Sequence, residues 1–215
     1  METIQAGRTA IGLFLPTSYE TQERRHFPLL LSLGAFGAER NISKLHEEGV
    51  LPEMIVAEIF CDDALLDLVE ITSELACKLR LLDLPAARWL AGAGHHGLLA
   101  LETLLNHPDL FGAAACLSTS FEGIEGAPPL HSRALRALED RAALPANVRL
   151  YSDYGTLGLD ECYEPYHRDL GGILRAKGWS GGREFTIERS VGGTHTPDSW
   201  RDRLDPALRW LARPH

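Results

Sequence analysis

Positive charge is scarce in this sequence. Its 215 residues carry 21 Lys and Arg against 30 Asp and Glu, a formal net charge of −9. A nucleic-acid partner needs clustered cations to meet its phosphates. Here the Arg residues are dispersed among acids, as in RDRLD at 201–205, which reads as a solvated helix face. Cysteine is scarce too. The four, at 61, 77, 116 and 162, form no CxxC pair, so neither a zinc knuckle nor a redox motif is indicated. Cys77 and Cys116 lie in apolar runs and read as small core residues. No apolar run approaches a membrane span. The opening METIQAGRTAIG has no cationic region leading into a long apolar stretch, so no secretory leader is expected. A reduced, cytoplasmic protein with neither membrane nor nucleic acid as partner is the expectation. Repeats and low-complexity blocks are also missing.

What is there is a core and an alternation. Hydrophobic residues make up 45% of the chain, enough at this length for one well-filled domain spanning 1–215, with a small cap or insertion at 119–146. Continuous apolar runs at 9–16, 27–34, 54–60, 86–92, 112–118, 148–155 and 184–193 read as strands. Between them, 63–82, 96–106, SRALRALEDRA, 161–177 and 199–212 show apolar residues at helical spacing. Alternation of this kind predicts an α/β fold, a mostly parallel sheet with helices on both faces. Ligands on such sheets bind at the carboxyl ends of the strands. The loops there are 34–41, 92–97, 118–122, 155–161 and 192–198.

The loop at 92–97 is the most informative. AGAGHHGLLAL runs from a strand through glycines and two histidines into a helix. That is the layout of a nucleophile elbow, G-x-S-x-G, where small residues let strand and helix approach around one exposed side chain. Yet no Ser, Cys or Asp stands in it.

From Arg88 to Ala113 the chain reads R-W-L-A-G-A-G-H-H-G-L-L-A-L…HPDLFGA. It resembles esterases related to enterochelin esterase, feruloyl esterase and esterase D, which commonly read R-A-I-A-G-H-S-M-G-G-L-A-A-L…HPDLFGA. LFLPTSYE (13–20), FPLLLSLGAFGAERN (27–41) and GGTHTPDSWRDRL (192–204) are similar to that family's LP-x-x-Y, YPVLYLLHGGGGDETNW and GGH-x-W-x-x-W segments. The resemblance covers nearly the whole chain and implies the α/β-hydrolase fold. It also implies carboxylic-ester hydrolysis through an acyl-enzyme, with no cofactor or metal.

Carried over residue by residue, the resemblance makes His195 the general base. The acid should follow a glycine that ends a strand. Gly155 is that glycine, but position 158 is also glycine, so Asp160 is the best match, with Asp153 and Glu161 as alternatives. Asp160 could equally cap the following helix. Without a gap, the serine position falls on Gly94, between Gly92 and His96. His96 is bulky for a close strand–helix contact. A one-residue shift instead puts His95 at the tip, between Ala93 and Gly97. The family's H-G-G oxyanion loop becomes Gly34, Ala35 and Phe36, where backbone N–H groups would still serve.

Three readings of function follow. One is an esterase homologue, weak or inactive as a serine esterase, that keeps a site for a small-molecule ester or acyl ligand. Another is a hydrolase of altered mechanism, using His95 and His195 or, with Asp160, a metal-bound water. The last is a non-catalytic interaction protein. Ser118, Thr119 and Ser120 offer hydroxyls near the site. Tyr163, Tyr166 and Trp200 read as packing. A homo-oligomer is compatible with the sequence.

Overall fold

The computed structural model describes residues 2–6, 9–34, 36–60, 66–121 and 132–214. Its strands form one eight-stranded sheet of order β1-β2-β4-β3-β5-β6-β7-β8. These are β1 (Glu2–Ala6), β2 (Thr9–Phe14), β3 (Leu29–Leu33), β4 (Ile55–Ile59), β5 (Arg88–Ala93), β6 (Ala113–Leu117), β7 (Arg149–Gly155) and β8 (Phe185–Ser190). β1 and β2 pair antiparallel, β2 joins β4 antiparallel, and all later pairings are parallel. The strands expected from the sequence are all present. β1 is an addition, a short and largely polar edge strand with no apolar run to announce it.

Every residue of β3, β4, β6 and β7 is buried, as strands covered on both faces must be. One face is covered by α1 (Ala38–Glu47) and α6 (Pro197–Leu211), through Ile42, Leu45, Leu204, Leu208 and Leu211. The other carries α2 (Leu68–Lys78), α3 (His95–Asn106), α4 (Arg133–Asp140) and α5 (Glu164–Ala176), through Leu75, Leu101, Leu104, Leu138 and Leu170. Each such leucine contributes on the order of 1.5–3 kcal/mol by burial.

Several boundaries move for local reasons. α2 starts at Leu68 because the Asp67 carboxylate accepts the N–H groups of Val69 and Glu70. The helix stops at Lys78. The apolar residues after it run extended, and Leu81 bridges to Phe27. Cys77 corrects its sequence reading: it is exposed, because α2 buries Leu68, Ile71, Thr72 and Leu75 instead. Cys116, at 1% exposure, is a core residue, and burial pushes its thiol up. The expected helix over 161–177 divides into a 3-10 turn, Gly158–Cys162, and α5, whose first turn holds Pro165. Part of the stretch read as a cap, residues 122–131, lies outside the described residues. No helix among the described residues is long and apolar enough to cross a membrane.

Candidate active site

The turn after β5 is built by close approach. A Cβ on Gly92 would stand 2.3 Å from the carbonyl oxygen of His96, so the end of β5 admits only glycine there. Gly97 is similarly confined by the Thr119 hydroxyl, at 2.7 Å. Between them Gly94 takes φ 59° and ψ −125°, the strained conformation of the turn, which glycine adopts most cheaply. His95 is the first residue of α3 and is exposed, so the turn belongs to Gly94 rather than to His95. His96 fits despite its size. Its backbone is what comes nearest Gly92, while its ring is buried beside the loop after β3, 3.5 Å from where a Cβ of Gly34 would be. The His95 and His96 rings lie 4.0 Å apart, centroid to centroid.

Across from Gly94 stands His195. Its Nε2 lies 3.3 Å and its Cε1 3.5 Å from the position of a Cβ on Gly94, and among the described residues no other atom outside Ala93 and His95 comes within 4 Å of that position. The His195 Nδ1 is 2.8 Å from Asp160 Oδ1. An ionised carboxylate only accepts, so Nδ1 donates to it, and in the neutral imidazole the Nε2 lone pair faces Gly94. The ring sits between Trp200 and Tyr163, edge to face with each, at 4.9 and 5.7 Å.

Asp160 is fully buried and does not cap α5. Its Oδ2 accepts from the Ser118 hydroxyl at 2.5 Å, the Gly155 N–H at 2.8 Å and Arg203 Nη2 at 3.3 Å. Burial pushes its carboxyl up. The bonds from His195, Ser118 and Gly155 and the Arg203 charge outweigh that and hold it below the ordinary value. Asp153, one of the alternatives, lies deeper. It meets Arg203 Nη1 at 2.8 Å and the Ser118 N–H at 3.1 Å, and desolvation pushes its carboxyl up to about 7 despite both. Glu161 is exposed, and among the described residues it accepts only from the Gly158 N–H, so it is no part of this cluster.

Ser118 corrects the reading of a spare hydroxyl. Its Oγ donates to Asp160 and accepts from Arg203 Nη2 at 2.6 Å and Trp200 Nε1 at 3.2 Å, which uses its whole bonding capacity. Trp200 is likewise more than packing. Arg203 overturns the reading of RDRLD as a solvated face: it is 6% exposed. Besides Asp153, Asp160 and Ser118, its guanidinium reaches the Thr194 carbonyl at 3.1 Å, in the loop that carries His195. A signal was present, since Trp200, Arg203, Leu204 and Ala207 recur at helical spacing on one stripe.

In the loop after β3, beside the His96 ring, Gly34 has φ 100° and its carbonyl accepts the Phe36 N–H at 3.2 Å; Ala35 lies outside the described residues. Glu58, 3% exposed at the adjoining end of β4, accepts the Ala38 N–H at 2.7 Å and ties the start of α1 behind this loop. Desolvation raises the Glu58 carboxyl, against the pull of the Ala38 and Gly37 N–H groups. The N–H of His95 opens α3 with no carbonyl ahead of it in the helix, a place suited to an oxyanion. Among the described residues no group of three His, Cys, Asp or Glu is placed to hold a metal ion. Asp160 in particular directs both oxygens into protein donors.

A mostly parallel sheet whose central strand turns at a glycine into a helix, opposite a histidine–aspartate pair, is an α/β-hydrolase fold. No family model and no curated protein matches the chain. Solved structures do. A ferulic acid esterase superposes with a TM-score of 0.77 at 17% identity, over 98% of this chain and 96% of that one. Ferric enterobactin esterase from Salmonella typhimurium gives 0.77 at 22%, over 98% of this chain but only 57% of that one. S-formylglutathione hydrolase from Staphylococcus aureus gives 0.71 at 15%, over 99% and 96%.

Proposed function

We propose that this chain is an esterase-type α/β-hydrolase homologue that binds a small ester or acyl ligand at Gly94 and His195 and forms no acyl-serine. The single observation behind this reading is the placement of Gly94. It has the backbone of a nucleophile position and its Cβ direction faces the lone pair of His195 at 3.3 Å, yet it bears no side chain. The His195–Asp160 pair and the helix N-terminus at His95 would orient and polarise an acyl group. The esterase names of the fold neighbours bring carboxylic esters forward as the ligand class. The alternative with His95 as nucleophile has less support, since His95 is exposed at the helix start. Ser118 is spent on Asp160.

The test is Gly94→Ser. A serine there would place its hydroxyl within hydrogen-bond reach of His195 Nε2. With p-nitrophenyl acetate the variant should release a burst of nitrophenol and gain one acetyl group, mapped to position 94. A folded variant that is never acylated would overturn the reading of this turn as an esterase site.

A further inference from the structure

Losing the serine does not disarm the base. In a serine esterase the Nε2 of the histidine takes its proton from the serine hydroxyl. Here that nitrogen keeps its aim, and in the neutral imidazole its lone pair. Nδ1 is bonded to Asp160 at 2.8 Å, and the acid is fixed in turn by Ser118, Gly155 and Arg203. His195 keeps 24% of its side chain exposed, so solvent reaches it. The position that a serine Cβ would take is 3.3 Å from Nε2, and among the described residues beyond Ala93 and His95 only His195 comes within 4 Å of it. That distance is close to a hydrogen bond, so a water oxygen at that position would bond Nε2.

We infer that His195 is a general base for water held at Gly94, and that the site hydrolyses esters of acidic leaving groups, phenols or thiols, by direct displacement. The inference rests on the reading above that an acyl group binds here. Water's oxygen forms a bond to the acyl carbon as Nε2 accepts one of its protons. The carbonyl electrons move to oxygen, facing the N–H of His95. Collapse of the tetrahedral adduct breaks the bond to the leaving group, which departs with the proton from Nε2. The products are a carboxylic acid and a phenol or thiol, with no covalent enzyme intermediate. The leaving-group class follows from the chemistry: a single general base contributes about 10²–10⁴-fold, which suits an acyl group already activated.

The experiment uses the full chain with p-nitrophenyl acetate as substrate and 4-nitroacetophenone, which cannot be hydrolysed, as binding probe. The parent should show a saturable rate without a burst, and its mass after quenching should be unchanged. His195→Gln should lower kcat by about 100-fold or more, a factor far larger than any loss of ketone affinity. Gly94→Ala, which puts a methyl group where water would stand, should act in the same direction in a variant shown to be folded. An acylated parent protein, or a rate indifferent to His195→Gln, would overturn direct displacement. So would a parent that binds the ketone but turns over no ester, and that result would leave the ligand-site reading standing. Failure to bind the ketone together with no turnover would remove both.

Discussion

Arg203 reaches Asp160 from the last helix, Nη2 to Oδ2 at 3.3 Å, while the same nitrogen bonds the carbonyl of Thr194 beside His195. One guanidinium thus ties both members of the histidine–aspartate pair to α6. It also donates to Asp153 at 2.8 Å, although desolvation still pushes that carboxyl up. Arginine suits the task because its planar fork donates in several fixed directions and stays charged when buried.

Removing that cation should be costly. Arg203→Met leaves Asp153 and Asp160 buried without their countercharge. Breaking a buried pair in this way costs about 3–5 kcal/mol. Denaturant unfolding of Arg203→Met should show a loss of that size, and Arg203→Lys a smaller one. A loss under about 1 kcal/mol would mean that the network does not carry the charge balance described here.

Asp153 should leave a mark on the pH dependence of stability. Its folded value, pushed up to about 7 chiefly by desolvation, lies above its ordinary 3.8. Between about pH 4 and pH 7 the folded state therefore holds a proton that the unfolded chain has released, and stability falls as pH rises through that window. Asp160 has the opposite sign. Held below its ordinary 3.8, it contributes stability that is present above that pH and lost only as the pH falls through its lower folded value. Comparing Asp153→Asn with the parent by urea unfolding should show the difference moving in the variant's favour from pH 4 to pH 7 and holding constant above. A difference independent of pH would refute the assignment.

Two glycines should respond in opposite ways to alanine. At Gly92 the new methyl would meet the His96 carbonyl at 2.3 Å, so backbone must move, and Gly92→Ala should cost about 1–3 kcal/mol. Gly172 lies in α5 with no described residue, its own helix backbone aside, within 4 Å of its Cβ position, and Gly172→Ala should gain about 0.5–1 kcal/mol from helix propensity. Thermal unfolding of the two variants side by side measures both signs.

Much of the architecture was legible from pattern alone. Buried parallel strands are continuous apolar runs, so β3, β4 and β6 announced themselves, and the glycines of AGAGHHG marked a strand–helix contact. β1 was not legible, because an edge strand needs no apolar run. Arg203 was misread because a charge among charges looks solvated until the helix stripe through Trp200, Leu204 and Ala207 is followed.

The sequence by itself determined the alternation of strands and helices, the absence of a serine at 92–97, and a histidine in the late GGTH loop. Local spacing and local residue type suffice for these. Only the tertiary structure decided that Gly94 rather than His95 holds the turn, since that depends on which residue carries the strained backbone. It alone brought Asp160 to His195 and placed Arg203 and Ser118 behind them, from segments 35 to 85 positions apart in the chain. Contacts across such separations are set by how β6, β7 and α6 pack, and no local pattern encodes that packing.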